Sequence, residues 1–135
     1  DSPLDMTIFT ERQDLEAEIA MLRERSDVDE QYIFLLGNSQ GGVVSALTAA
    51  AHPDWVRAMA LSSPAFSLAD DARKLFGSVD EIPEQYFHLL MNVGRNYFAS
   101  VYDFDPIDAA KSYPGDVLIF HGDRDTARSF CGFFV

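Results

Sequence analysis

Apolar residues in this chain fall into three short unbroken runs and several helical patterns, and their order predicts the architecture. Near the start, Leu15, Ile19 and Leu22 recur at helical spacing while Glu11, Glu16, Glu18 and Glu24 keep the other face wet. Thr10 with Gln13 three residues on has the capping-box form, so this amphipathic helix is expected to start there. After a polar break at 26–30, Tyr32-Ile33-Phe34-Leu35-Leu36 runs apolar up to Gly37, as suits a parallel strand buried on both faces. Residues 40–51 are small, nearly uncharged and stopped by His52-Pro53-Asp54, which reads as a buried helix. Residues 57–62 give a second buried strand ending at Ser63-Pro64, and residues 116–120 a third ending at His121-Gly122. Between them, residues 66–105 mix aromatic, acidic and amide side chains, with a helical stretch expected over 84–99. A short helix is expected over 107–112.

Strand, helix, strand, insertion, strand is the rhythm of an α/β fold. Three parallel strands are too few to be covered on both faces and edges by a chain of this length. The pattern therefore predicts an incomplete α/β domain, with its core in 1–65 and 106–135 and an insertion at 66–105.

Charge narrows the function. Among 135 residues, 22 Asp and Glu stand against 10 Lys and Arg, a formal net charge of −12. That excludes unaided nucleic-acid binding, which needs a basic face, and electrostatic docking on an anionic membrane. A hydrophobic fraction of 47% calls for a packed core rather than a disordered acidic tail. Cys131 is the single cysteine, so neither an internal disulfide nor a multi-cysteine metal site is expected. No apolar run approaches the roughly 18 residues of a membrane span. The N-terminus lacks a signal-peptide layout, so the expected location is cytoplasmic, although the chain is expected to begin partway through a domain.

Gly37-Asn38-Ser39-Gln40-Gly41 matches G-x-S-x-G. Three such fixed positions arise by chance in about 4% of chains this long. Here they fall between a predicted strand and a predicted helix, where a nucleophile elbow must sit. Such a turn strains the serine, and glycines on either side would remove clashing side chains. Ser39 is then the candidate nucleophile. The backbone N–H of Gln40, opening the helix, is the candidate oxyanion donor. The competing reading is a tight turn in which Ser39 only caps the helix. A serine also needs a base held by an acid. Asp123 and Asp125 lie just past the third strand, on the same sheet edge as Ser39, and Asp125 is preferred.

At these residues the chain resembles an α/β-hydrolase of the serine esterase and lipase type, most closely the bacterial cinnamoyl (feruloyl) esterases. The resemblance is carried by residues 32–44, His52-Pro53-Asp54, Leu61-Ser62-Ser63-Pro64-Ala65, Gly94-Arg95-Asn96-Tyr97 and residues 117–125. It implies a partial α/β-hydrolase fold, a mostly parallel sheet flanked by helices, with a helical lid over the acyl pocket. By the same resemblance Ser39 is the nucleophile, Gln40 the oxyanion donor and Asp125 the triad acid. Asp71 and Tyr97 fall where that family contacts the phenolic ring. The implied partner is a small-molecule ester, with no cofactor and no metal.

The chain departs from the family where Asn38 replaces a histidine and where the sequence after Asp125 follows another pattern. The family's early strands, which carry the second oxyanion N–H, have no counterpart, and neither does the histidine expected well after the acid. Truncation at both ends is therefore expected, with this chain inactive by itself. Of the three histidines, His52 is expected at an exposed helix end, His88 on a partly exposed lid helix and His121 in support of its turn. The alternatives are a lipase or serine peptidase on the same scaffold, or a non-catalytic remnant acting as a binding module.

Overall fold

The structure, a computed structural model, describes residues 2–123. Helix α1 (Ile8–Arg23) has its cap three residues before the expected one. Thr7 is the N-cap: its Oγ1 accepts from the Thr10 N–H at 3.1 Å, and the Thr10 Oγ1 accepts from the Thr7 N–H at 2.9 Å. Threonine here fills the third helical position, where Glu or Gln is the usual signal, so the sequence pattern pointed one turn too late. Ile8 and Ile19 are the residues α1 buries most deeply.

Strand β1 (Phe34–Asn38), helix α2 (Gln40–Ala51) and strand β2 (Ala58–Ser62) follow. Residues 42–49 of α2 are all buried, because the helix lies between the sheet on one side and α1 on the other. Beyond the insertion come α5 (Pro106–Ala110) and β5 (Asp116–Phe120). Asp105 caps α5 by accepting from the N–H groups of Ile107 and Asp108, and Pro106 opens the helix where no N–H is needed.

The three strands form a parallel sheet in the order β1-β2-β5, with Leu35, Met59 and Val117 in register, then Gly37, Leu61 and Ile119. These residues face the helices. The opposite face carries Phe34, Leu36, Leu118 and Phe120, all exposed, with Leu36 at 81%. The expectation of strands buried on both faces is thus corrected: among the described residues, only one face of the sheet is covered.

Between β2 and α5 the chain forms α3 (Leu68–Leu75), a hairpin of β3 (Gln85–His88) and β4 (Met91–Gly94), and α4 (Arg95–Ala99). The helix expected over 84–99 is therefore helical only in its last five residues. Strand β3 alternates, with Tyr86 and His88 half-buried and Gln85 and Phe87 exposed. The two-residue turn has positive φ at both positions, 44° at Leu89 and 74° at Leu90. That conformation matches strand twist but favours Asn-Gly, so two leucines gave no hairpin signal. Phe76, Tyr86 and Phe98 pack edge to face beneath the hairpin, with centroids 5.2–5.6 Å apart.

Candidate active site

Ser39 joins β1 to α2 at φ 56° and ψ −123°, a conformation that costs a non-glycine residue about 1–3 kcal/mol. Three backbone hydrogen bonds hold it there. The Ser39 N–H donates to the Ser62 carbonyl at 3.0 Å, and the Ser39 carbonyl accepts from Gly42 at 3.1 Å and Ala65 at 2.9 Å. Its side chain makes no capping hydrogen bond to α2, which removes the simple cap reading.

Space around the turn explains one flanking glycine and corrects the other. A Cβ on Gly37 would lie 2.5 Å from the Gly41 carbonyl oxygen and 2.6 Å from the Gly42 Cα, both backbone atoms that cannot step aside. A Cβ on Gly41 would meet nothing within 4 Å among the described residues. Gly42 is the second constrained position, where a Cβ would come within 2.9 Å of the Pro64 side chain. The close approach of α2 to β1 and to the loop after β2 therefore requires Gly37 and Gly42.

Ser39 and Gln40 line a cavity of about 330 Å³, with walls from Asp71, Lys74, His88, Tyr97 and Phe98. That volume is at the lower end for small-molecule sites. The Gln40 N–H, first in α2, has no acceptor within the helix ladder. The Gln40 side chain is held at both ends: Nε2 donates to the Glu11 carboxylate, and Oε1 accepts from the Tyr97 hydroxyl. Tyr97 is buried, and its hydroxyl binds Gln40. Asp71 accepts from the Ser67 hydroxyl at 2.9 Å and has Lys74 at 3.8 Å. The structure thus gathers Ser39, Gln40, Asp71 and Tyr97 around one cavity. Asp125 lies outside the described residues; Asp123 is exposed, three residues past the end of β5.

The histidines separate by position. His52 follows the last residue of α2, thirteen positions from Ser39 and across about 18 Å of helix. It is half-buried rather than exposed, stacked on Trp55 at 3.9 Å with Glu16 at 3.3 Å. His88 lies on strand β3 rather than a helix and lines the cavity, its ring 5.6 Å from Tyr97 and 5.3 Å from Phe98. Sequence reasoning named Asp71 but missed Leu68 and Lys74, which line the cavity beside it. The spacing of three through Leu68, Asp71 and Lys74 marks one helical face, a signal present in the sequence.

No curated protein matches the chain. Two solved structures of Est1E from Butyrivibrio proteoclasticus are similar. One, with ferulic acid bound, has a TM-score of 0.81 at 26% identity, covering 94% of this chain and 53% of that one. The other has a TM-score of 0.80 at 27% identity, with coverages of 93% and 54%. This chain therefore spans about half the length of those structures. The Hydrolase_4 model, described as serine aminopeptidase, S33, matches residues 10–102. By that match the chain belongs to the serine aminopeptidase S33 family, and its parallel sheet flanked by helices is part of an α/β-hydrolase fold.

Proposed function

We propose that this chain is the nucleophile-bearing part of a serine carboxylesterase that cleaves hydroxycinnamoyl esters. The observation that carries the reading is the Ser39 turn, strained, hydrogen-bonded from three sides and unused as a cap. In the full-length protein the Ser39 Oγ attacks the ester carbonyl while a histidine base, oriented by Asp125, takes its proton. The Gln40 N–H stabilises the oxyanion. The same histidine returns the proton to the leaving alcohol, and water then releases the acid from the acyl-serine. Residues 66–105 form the lid, and Asp71 and Tyr97 face the aromatic ring of the acyl group. Est1E, seen with ferulic acid bound, supports the aromatic acid class.

The test is Ser39→Ala in the full-length protein. Ester turnover should fall by a factor near 10⁶, typical for removal of such a nucleophile. Retention of most activity would refute the assignment. The family description favours a second reading, a peptidase, so an aminoacyl amide belongs beside methyl hydroxycinnamates and a long-chain acyl ester. Preference for the amide would replace the esterase reading, and preference for the long-chain ester would make it a lipase.

A further inference from the structure

A second cavity, of about 190 Å³, adjoins the one at Ser39. Gln40, His88, Leu89 and Tyr97 line both, and Met6, Glu11, Met91 and Val93 complete the second. Its volume lies below the range of sites for drug-sized ligands, so it fits one small group. The walls divide by chemistry. Met6, Leu89, Met91 and Val93 are apolar, and the His88 and Tyr97 rings stand 5.6 Å apart. Glu11 supplies a carboxylate. One of its oxygens accepts from the Gln40 amide, which leaves the other able to face a cation.

The charge of Glu11 is not balanced nearby. Among the described residues no ion pair joins it to an Arg, Lys or His. Asp71 lines only the Ser39 cavity, where Lys74 stands 3.8 Å from it. A carboxylate walled by apolar and aromatic side chains calls for a positively charged ligand, which the net charge of −12 also attracts. The count of donors selects the kind. An –NH₃⁺ group brings three N–H donors, and the Gln40 oxygen in this wall is already taken by the Tyr97 hydroxyl. A quaternary ammonium has no N–H to satisfy. Its methyl groups pack on methionine and valine, and its charge meets Glu11 and the rings.

We propose that this cavity binds a quaternary ammonium group, with Glu11 as its counter-ion. On the esterase reading above, on which this step rests, that group belongs to the alcohol half of the ester. The acyl ring takes the Asp71 side of the Ser39 cavity, and the second cavity adjoins it at Gln40, which that reading places at the scissile carbonyl.

The experiment compares choline with 3,3-dimethylbutan-1-ol, which has the same shape with carbon in place of the charged nitrogen. Full-length protein, isotope-labelled at its methionine methyl groups, is titrated by NMR at about pH 8, above the ordinary histidine range. Choline should bind about tenfold more tightly, the ratio supplied by one partly exposed ion pair with a ring contact. It should shift the methyl groups of Met6 and Met91 and leave those of exposed Met21 and buried Met59 in place. Glu11→Gln keeps the side chain's shape and an oxygen for the Gln40 amide, and should bring the two affinities within about twofold of each other. Met91→Lys, which brings a competing cation to Glu11, should do the same, read at Met6. On the choline and 3,3-dimethylbutyl esters of 4-hydroxycinnamate, kcat/KM should show the same preference and the same loss in Glu11→Gln.

Equal affinities in the wild type overturn the proposal. So does a ratio that Glu11→Gln leaves intact, which marks a merely structural role. Shifts at Met21 as large as those at Met6 overturn it as well, because they mark diffuse attraction to an acidic surface. Glu11-dependent choline binding with equal kcat/KM on the two esters removes the alcohol assignment. The same binding in a protein that turns over neither ester counts against the esterase reading alone.

Discussion

Ser39→Gly isolates the strain stored in the turn. At φ 56° and ψ −123° the serine Cβ crowds its own backbone, at a cost of about 1–3 kcal/mol. Glycine removes that cost and adds unfolded-state freedom of about 0.5–1 kcal/mol. The hydrogen bonds to the Ser62 carbonyl and from the Gly42 and Ala65 N–H groups involve only backbone and survive the change. The net expectation is a gain of about 1 kcal/mol, or roughly 2–4 °C in Tm for a domain of 150–250 residues. Ser39→Ala keeps the Cβ and its strain, and should lie within about 0.5 kcal/mol of wild type. Urea denaturation of full-length wild type, Ser39→Ala and Ser39→Gly, followed by tryptophan fluorescence, compares them directly. Glycine no more stable than alanine would show that the turn stores no strain, whatever either variant does to activity.

Gly37→Ala should destabilise by at least 1–3 kcal/mol, since its Cβ meets only backbone, while Gly41→Ala should stay within about 0.5 kcal/mol; paired thermal melts check the contrast. Asp125→Asn in the full-length protein should cut ester turnover by about 10⁴, by analogy with the triad aspartate of proteases, and Asp123→Asn far less. Equal effects would leave Asp125 without the acid role. Burial pushes the Tyr113 phenol above its ordinary range, and Asp116 adds to the shift. A raised folded pKa gives stability that is fully present below the unfolded value near 10 and lost as pH rises through the folded one. Tyr113→Phe loses the hydrogen bond to the Val56 carbonyl, about 1 kcal/mol at pH 7. The deficit should shrink by about pH 10.5, where the wild-type advantage begins to titrate away. Urea midpoints at the two pH values decide it, and a constant deficit would argue against the buried phenol.

Local features were legible in the sequence and paired features were not. The limits of α2 follow from its uncharged small residues and from the His-Pro stop, so expectation and structure coincide at Gln40–Ala51. Each apolar run contains a strand, but sidedness escaped: Phe34 and Leu36 are as hydrophobic as Ile33 and Leu35, and only the helix layer shows which pair is covered. The Leu89-Leu90 turn broke the usual turn chemistry, so the hairpin was read as helix. The motif marked Ser39, yet it credited Gly41 with a steric role that belongs to Gly42, because Pro64 comes against α2 only through the fold. Nothing in the sequence links Glu11 to Gln40 and Tyr97, which are 29 and 57 positions apart in their two bonds.

The bonds that hold Ser39 also say how its geometry is inherited. Two of its three backbone partners, Ser62 and Ala65, belong to the end of β2 and the loop beyond, 23 and 26 positions away. A peptide spanning only β1 and α2 would carry the whole motif and none of that clamp, and its serine would relax to a negative φ. The residue identities are local, but the conformation is a property of the paired sheet. The strain is therefore imposed only where β1 and β2 have paired, across 23 positions of chain. Grafting residues 37–42 onto another strand-helix junction would transplant the letters and leave the elbow behind.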